Sequence, residues 1–354
     1  MQLYAKLGDK SVRVAGKLLG YKSGFILETT YGIEVFNNVE GIEYPALPEG
    51  FFTKPTLQWK VFSQKALTTN VEVAYRTTGF SWKSDYTVIL DQAEKKADVG
   101  GWVTIDNYSG KKYDNAKLKL IAGDVNVVRN SPRPQAMEMR SFAMASAPAP
   151  SFSEKSFSDF HMYTLSEPVT LNENSQKQVE FLAKVYGVNV RKYNYIVVSA
   201  GGYSESNIKA SNKIELTNSK NNQLGVPLPK GTVRVFKTDS DDGSLEFIGE
   251  DSIDHTPKDE NITLTTGNAF DITAEKVATN RRSFDKGGYT ADVNLTISNH
   301  KNIQAEIVVE INNYYGSNAR FNWINPRSVE NVSATVIRIK RVFAANEKVS
   351  YLWS

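Results

Sequence analysis

The chain has no cysteine among its 354 residues. That excludes disulfides, thiolate metal sites and cysteine nucleophiles. Histidine is scarce: His161, His255 and His300 are the only three, and no two are close in sequence. A His-x-x-x-His zinc pair is therefore missing, and a zinc enzyme is not expected. No apolar run approaches the ~20 residues of a transmembrane helix, so no membrane span is expected. No block of five basic residues occurs, and 42 Lys and Arg stand against 39 Asp and Glu. Such a balance carries no nucleic-acid footprint. The G-x-S-x-G elbow, the Walker loop and the strand–GxGxxG–helix unit are all missing, and no cofactor is expected. The opening QLYAKLGDK has no apolar signal core. No long helical period is found either.

What is present is β pattern. From Val71 to Val128, four runs alternate apolar and polar residues: Val71–Arg76, Trp82–Leu90, Ala97–Ile105 and Ala116–Ile121. Each is bounded by Gly, Asn, Asp or Ser. Period-2 alternation cut by turn residues predicts antiparallel strands with one buried face. Leu57–Ser63 reads as a strand that begins this region. Upstream, residues 10–44 hold four short strand-like runs on tight turns, which suggests a small SH3-like barrel or meander. The segment with Pro45, Pro48 and Pro55 reads as a linker. Downstream, alternation recurs at Gln178–Lys184, Ser211–Thr217, Gly231–Lys237, Leu245–Glu250, Asp271–Arg282, Tyr289–Asn299, Gln304–Asn312 and Ser333–Val342. Asp242–Gly243 marks a hairpin. The fold class expected is all-β: a small barrel or meander over residues 1–48, a β-sandwich over 56–225 and a C-terminal β-sandwich over 226–354. Within the first sandwich, 130–159 is rich in Pro, Ala and Ser without period and reads as a long loop.

Candidate chemistry is sparse. The densest polar stretch runs from Glu250 to Glu260 and includes Asp254 and His255. A histidine flanked by carboxylates can serve as a general base or a metal ligand. The simpler reading is a polar turn held around Pro257, and it is preferred. Asp239, Asp241 and Asp242 resemble a calcium loop faintly, but the D-x-D-x-D-G spacing and the closing Glu are missing, so a hairpin turn accounts for them. No local pattern singles out a carboxylate pair for glycoside hydrolysis. Alternation places Trp82 and Trp102 on buried faces. Two groups read as contact residues: Met137, Met139 and Phe142 in the long loop, and Tyr314, Tyr315 and Phe321 around a Gly-Ser-Asn turn. The C-terminal KVSYLWS carries little charge and is expected to dock, on its own sandwich or on a neighbour's.

Several stretches carry a family likeness. They are GFSWKSDYTVIL (79–90), KADVGGWVTIDNYSGKKYDNAKLKLIAGDVN (96–126), YTLSEPVTL (163–171), KQVEFL (177–182), FIGEDSIDHTPKDE (247–260), NAFDITAEK (268–276) and NHK (299–301). Together they resemble the C-terminal domain of mucoidy inhibitor A-like proteins, a domain of unknown function. The likeness covers nearly the whole chain. It implies an all-β fold and often an exported bacterial protein, and it implies no established catalytic activity. Long members carry an additional N-terminal β domain and a coiled coil, which this sequence does not show, so oligomerisation through a coiled coil is not carried over. The expectation is a non-enzymatic envelope or secreted protein, with any leader absent from this sequence. Its role would be adhesion, scaffolding or self-assembly, with protein partners that include copies of itself, and with a glycan. The alternative is a hydrolase acting on envelope polysaccharide.

Overall fold

The computed structural model describes residues 1–7, 10–21, 24–44, 46, 52, 56, 58–123, 152–157, 160–285, 288–314, 322–323 and 329–354. The chain is almost entirely β, as expected. It divides into two compact units, Met1–Val73 and Ala74–Ser354. The boundary expected between residues 225 and 226 lies within the second. No helix among the described residues is long and apolar enough to cross a membrane.

The first unit holds β1 (Gln2–Leu7), β2 (Lys10–Ala15), β3 (Lys17–Tyr21), β4 (Phe25–Thr29), β5 (Gly32–Phe36) and β6 (Val39–Glu43). Two antiparallel sheets, β2-β1-β6 and β3-β4-β5, wrap one core of Leu3, Ala5, Leu27 and Phe36. Gly16 is the corner where the chain leaves one sheet for the other. It exchanges two backbone hydrogen bonds with Met1, at 3.0 and 2.9 Å. A side chain there would meet Leu27 and the Glu28 carbonyl at 2.9 Å, so only glycine permits this close approach.

The second unit continues with β7 (Phe80–Leu90), β8 (Lys96–Asn107), β9 (Tyr113–Ala116), β10 (Lys119–Ala122), β11 (Phe152–Phe157), β12 (Phe160–Leu165), β13 (Val169–Leu171), β14 (Ser175–Ser199) and β15 (Glu205–Thr217). Then come β16 (Gly231–Thr238), β17 (Leu245–Ile253), β18 (Asn261–Ser283), β19 (Tyr289–Asn299), β20 (Ala305–Asn312), β21 (Val329–Asn331), β22 (Val336–Phe343) and β23 (Lys348–Trp353). A 12-stranded sheet runs β17-β16-β7-β8-β14-β15-β18-β19-β23, and β20, β22 and β21 join it through β14. Two of its pairings, β16 with β7 and β14 with β20, are parallel, which departs from the antiparallel sandwiches expected.

Three cores lie along this sheet. The first packs Val103, Ile105 and Val179 against Leu120, Tyr163 and Leu165 of the small β10-β12-β11 sheet. The second gathers Val88, Val99, Val188, Leu216, Val235 and Leu264 from six neighbouring strands. Around it the sheet curls until β17 meets β18: Asp251 accepts the Thr265 amide at 2.7 Å, and Gly249, at φ +150, lies against Thr266. The third core closes Ile196, Ile307 and Ile339 over Ile272, Leu295 and Trp353.

Several expectations are corrected. The described residues of Leu57–Ser63, and all of Val71–Arg76, belong to no strand. The Ala116–Ile121 run divides between β9 and β10, because Ala116 pairs with Val169 whereas Lys119 pairs with Thr164. Part of the expected loop, Phe152–Phe157, is a strand on β12; residues 130–151 and 158–159 lie outside the described residues. Trp82 is half-buried against the first core, but Trp102 projects from the opposite face of β8, across from Asp85 and Glu180. The C-terminal run is a home strand, antiparallel to β19 from Val293↔Trp353 to Ser298↔Lys348.

Candidate functional sites

Residues 225–230 and 254–260 form facing turns at one end of the second core. Buried Asn218 ties them together. Its side-chain amide donates to the Val226 and Pro257 carbonyls at 2.7 and 2.9 Å, and its oxygen accepts the Gly225 amide at 3.0 Å. Two buried tyrosines pin the first turn. Tyr163 donates to the Pro227 carbonyl at 3.0 Å and Tyr86 to the Pro229 carbonyl at 2.7 Å. Burial raises the pKa of both hydroxyls well above the ordinary phenol value, which keeps them donors. The Lys230 amide then donates to His255 Nδ1 at 3.2 Å.

His255 and Asp254 line an open groove of about 390 Å³ with Trp82, Lys83, Lys230 and Ile253. Both are exposed. Glu250 is elsewhere: Arg234 lies between it and Asp85, at 3.6 and 3.1 Å. Glu260 stands in the turn, where its carbonyl accepts the Asn218 amide at 2.8 Å. The four sequence candidates therefore do not converge. The arrangement is that of a braced turn, with His255 as one of its braces. Replacing His255 with Ala is expected to lower stability by about 0.5–1 kcal/mol, the size of one exposed neutral hydrogen bond. Thermal melting checks it; an unchanged melting temperature would remove the bracing role.

Paired carboxylates elsewhere are similarly occupied. Arg191 bridges Glu306, at 3.2 Å from Nε, and Glu215, at 3.6 Å. Burial pushes the Glu94 carboxyl up, but bonds from Lys192 and Lys237, at 2.5 and 3.1 Å, bring it below its usual range. Asp242 is also lowered, first by the Ser244 amide it accepts at 2.8 Å. A general acid needs a shift in the opposite direction.

Asp239, Asp241 and Asp242 occupy the β16–β17 hairpin turn, and Asp239 accepts the Asp241 amide at 2.7 Å. Among the described residues no three His, Asp or Glu side chains are grouped to hold a metal. Tyr314 is exposed. Tyr315, Phe321, Met137, Met139 and Phe142 lie outside the described residues.

Comparison with protein-family models, with curated proteins and with solved structures finds no match to the chain.

One stretch stands apart from the cores. Trp59, Val61, Phe62, Leu67, Val71, Val73 and Tyr75 are all exposed, from 40% at Val73 to 88% at Phe62. Apolar side chains at this density ordinarily mark an interaction site. Val71–Arg76, VEVAYR, has the alternation of a strand but joins no ladder. Tyr75 contributes a long hydroxyl contact, 3.4 Å to Tyr113 of β9.

Proposed function

We propose that this protein is a non-enzymatic β-sandwich of the cell envelope or exterior that acts as a scaffold by assembling with copies of itself. The placement outside the cytoplasm rests on the motif resemblance to the mucoidy inhibitor A-like domain. The assembly rests on one observation: a strand-patterned segment, Val71–Arg76, that is exposed and unpaired.

The segment is complementary to itself. Laid antiparallel about Ala74, Glu72 stands opposite Arg76 of a second copy and Arg76 opposite Glu72. On the other face Val73 meets Tyr75, and Tyr75 meets Val73. Two ion pairs and two apolar pairs then repeat about a two-fold axis, as an isologous contact requires. Cross-strand pairs contribute roughly 0.2–1 kcal/mol each, so the contact is weak and association should depend on concentration. The hydrolase alternative draws no support from the Asp85/Glu250 and Glu215/Glu306 pairs, which are bridged by Arg234 and Arg191.

Light scattering across a concentration series tests this. The full chain should gain mass as concentration rises. Val73→Pro should stay monomeric with an unchanged melting temperature, because proline removes a donor that the monomer does not use. Glu72→Arg should also block association, and Glu72→Arg with Arg76→Glu should restore it. A wild-type chain that stays monomeric, or a Glu72→Arg variant that associates like wild type, would overturn the proposal. So would a loss of melting temperature in Val73→Pro, since the segment would then be docked at home.

A further inference from the structure

The outer face of the sheet around β14 carries a second groove, of about 350 Å³, that none of the candidate residues touches. Strand alternation builds it. On β14, Ile196 and Val198 point into the third core, so Arg191, Tyr193 and Tyr195 point out. Register places Tyr193 beside Lys213 of β15, and Lys213 beside Thr265 of β18. On the other flank, Tyr195 stands beside Val308 of β20, and Val308 beside Lys340 of β22. Five strands, β18-β15-β14-β20-β22, thus span the groove. At ~4.8 Å per strand it is roughly 19 Å across, the reach of an oligomer more than of a single small molecule.

Its chemistry is cationic and aromatic. Arg191 is held by Glu306 and Glu215, and Arg338 reaches Glu310 at 3.5 Å. Lys213 and Lys340 have no carboxylate partner among the described residues. Lys213 donates to Thr265 Oγ1 at 2.6 Å and lies 5.7 Å from the centre of the Tyr195 ring. Tyr195 donates to Glu310 at 2.6 Å, which fixes its ring. Burial raises its pKa first, and the bond to Glu310 adds to this, so the ring is a neutral phenol. Tyr193 stands 6.4 Å away at 80°. The fixed Tyr195 ring and the Tyr193 ring, which has the Arg191 guanidinium 4.7 Å over one face, therefore lie between two lysines on opposite flanks.

We infer that this face binds an acidic polysaccharide, whose carboxylate-bearing sugars stack on Tyr193 and Tyr195 and whose charges meet Lys213 and Lys340. Ring faces suit sugars, which present C–H surfaces to aromatic side chains. An acidic peptide is less suited. The central strands of the floor, β15, β14 and β20, are each hydrogen-bonded to neighbours on both sides, so an extended peptide finds no free backbone edge between Lys213 and Lys340. Neutral glycans would leave both lysines uncompensated.

Titration calorimetry of the full chain with polygalacturonate oligomers at low salt tests this, with dextran and poly-glutamate as comparisons. Polygalacturonate should bind, weaken with added salt and be preferred over both. Lys213→Gln with Lys340→Gln should cost about tenfold in affinity at an unchanged melting temperature. Lys119→Gln, exposed on β10 of the small sheet over the first core, should cost nothing. If the double variant unfolds, Lys340→Gln alone carries the test, because its side chain is exposed; it should weaken binding by about threefold. No binding of polygalacturonate, equal binding of dextran, equal binding of poly-glutamate, or full affinity in the lysine variants would each overturn the inference.

Discussion

A chain shortened by Val349–Ser354 is expected to lose its cooperative thermal transition. The deletion removes nearly all of β23, which pairs with β19 over six residue positions. It also takes Tyr351 and Trp353 out of the third core, where each is only 2% exposed. The Trp353 indole donates to the Ala200 carbonyl at 3.3 Å, and its ring packs 5.2 Å from that of Trp323. Removing one buried tryptophan side chain costs ~3–5 kcal/mol. Losing the tyrosine and the ladder as well exceeds much of the ~5–15 kcal/mol that holds a domain folded. Trp353→Ala alone should therefore lower the melting temperature sharply, and the deletion should abolish the transition. Calorimetry and near-ultraviolet circular dichroism read both. A shortened chain that melts within a few degrees of the full one would show that the strand is dispensable.

The second large effect is expected at Lys276. It sits on the core face of β18 two residues after Ala274, and its side chain is 0% exposed. Its ammonium donates to the Ser199 carbonyl at 2.9 Å and is paired with Glu205. Taking a charge into a core is costly, and a partner only offsets that cost. Glu205→Ala leaves the ammonium buried with one neutral acceptor. Breaking a buried pair this way ordinarily costs ~3–5 kcal/mol, and the low end applies because Glu205 is 40% exposed. Lys276→Met keeps the volume and removes the charge, so it should be as stable as wild type or more so. Denaturant melts of the two variants distinguish the cases. Equal destabilisation by both would mean that Lys276 contributes through its pairing and not at a net cost.

The residues that carry clean alternation were legible as strands. Trp82–Leu90, Ala97–Ile105, Gly231–Lys237 and Tyr289–Asn299 fall within β7, β8, β16 and β19, because each sends one alternating set of apolar side chains into a core. β14 was legible only at Gln178–Lys184. Its pairing with β8 slips at three places between Glu180 and Val188, and each slip changes which residues face the core. Its later half is flanked by β15 and β20, so no simple period survives. Val71–Arg76 shows the converse: alternation predicts a strand, but a strand exists only where a partner supplies the ladder. The Glu250–Glu260 stretch drew notice because charge is dense there, yet Asn218, Tyr86 and Tyr163, far off in sequence, are what shape that turn.

The sequence alone determined that this is a β protein built on period-2 faces, free of thiol chemistry and of long helices. Those properties are local: they follow from side-chain type and spacing within a few residues. Only the tertiary structure decided that Trp353 lies inside its own sandwich, that Lys276 is buried, and that Tyr193, Tyr195, Lys213 and Lys340 share one face. Each of those facts depends on register between strands, with partners from 19 residues apart (Lys276↔Leu295) to 113 (Tyr195↔Val308) along the chain. Register is set by packing against the cores, and no local window of sequence contains it.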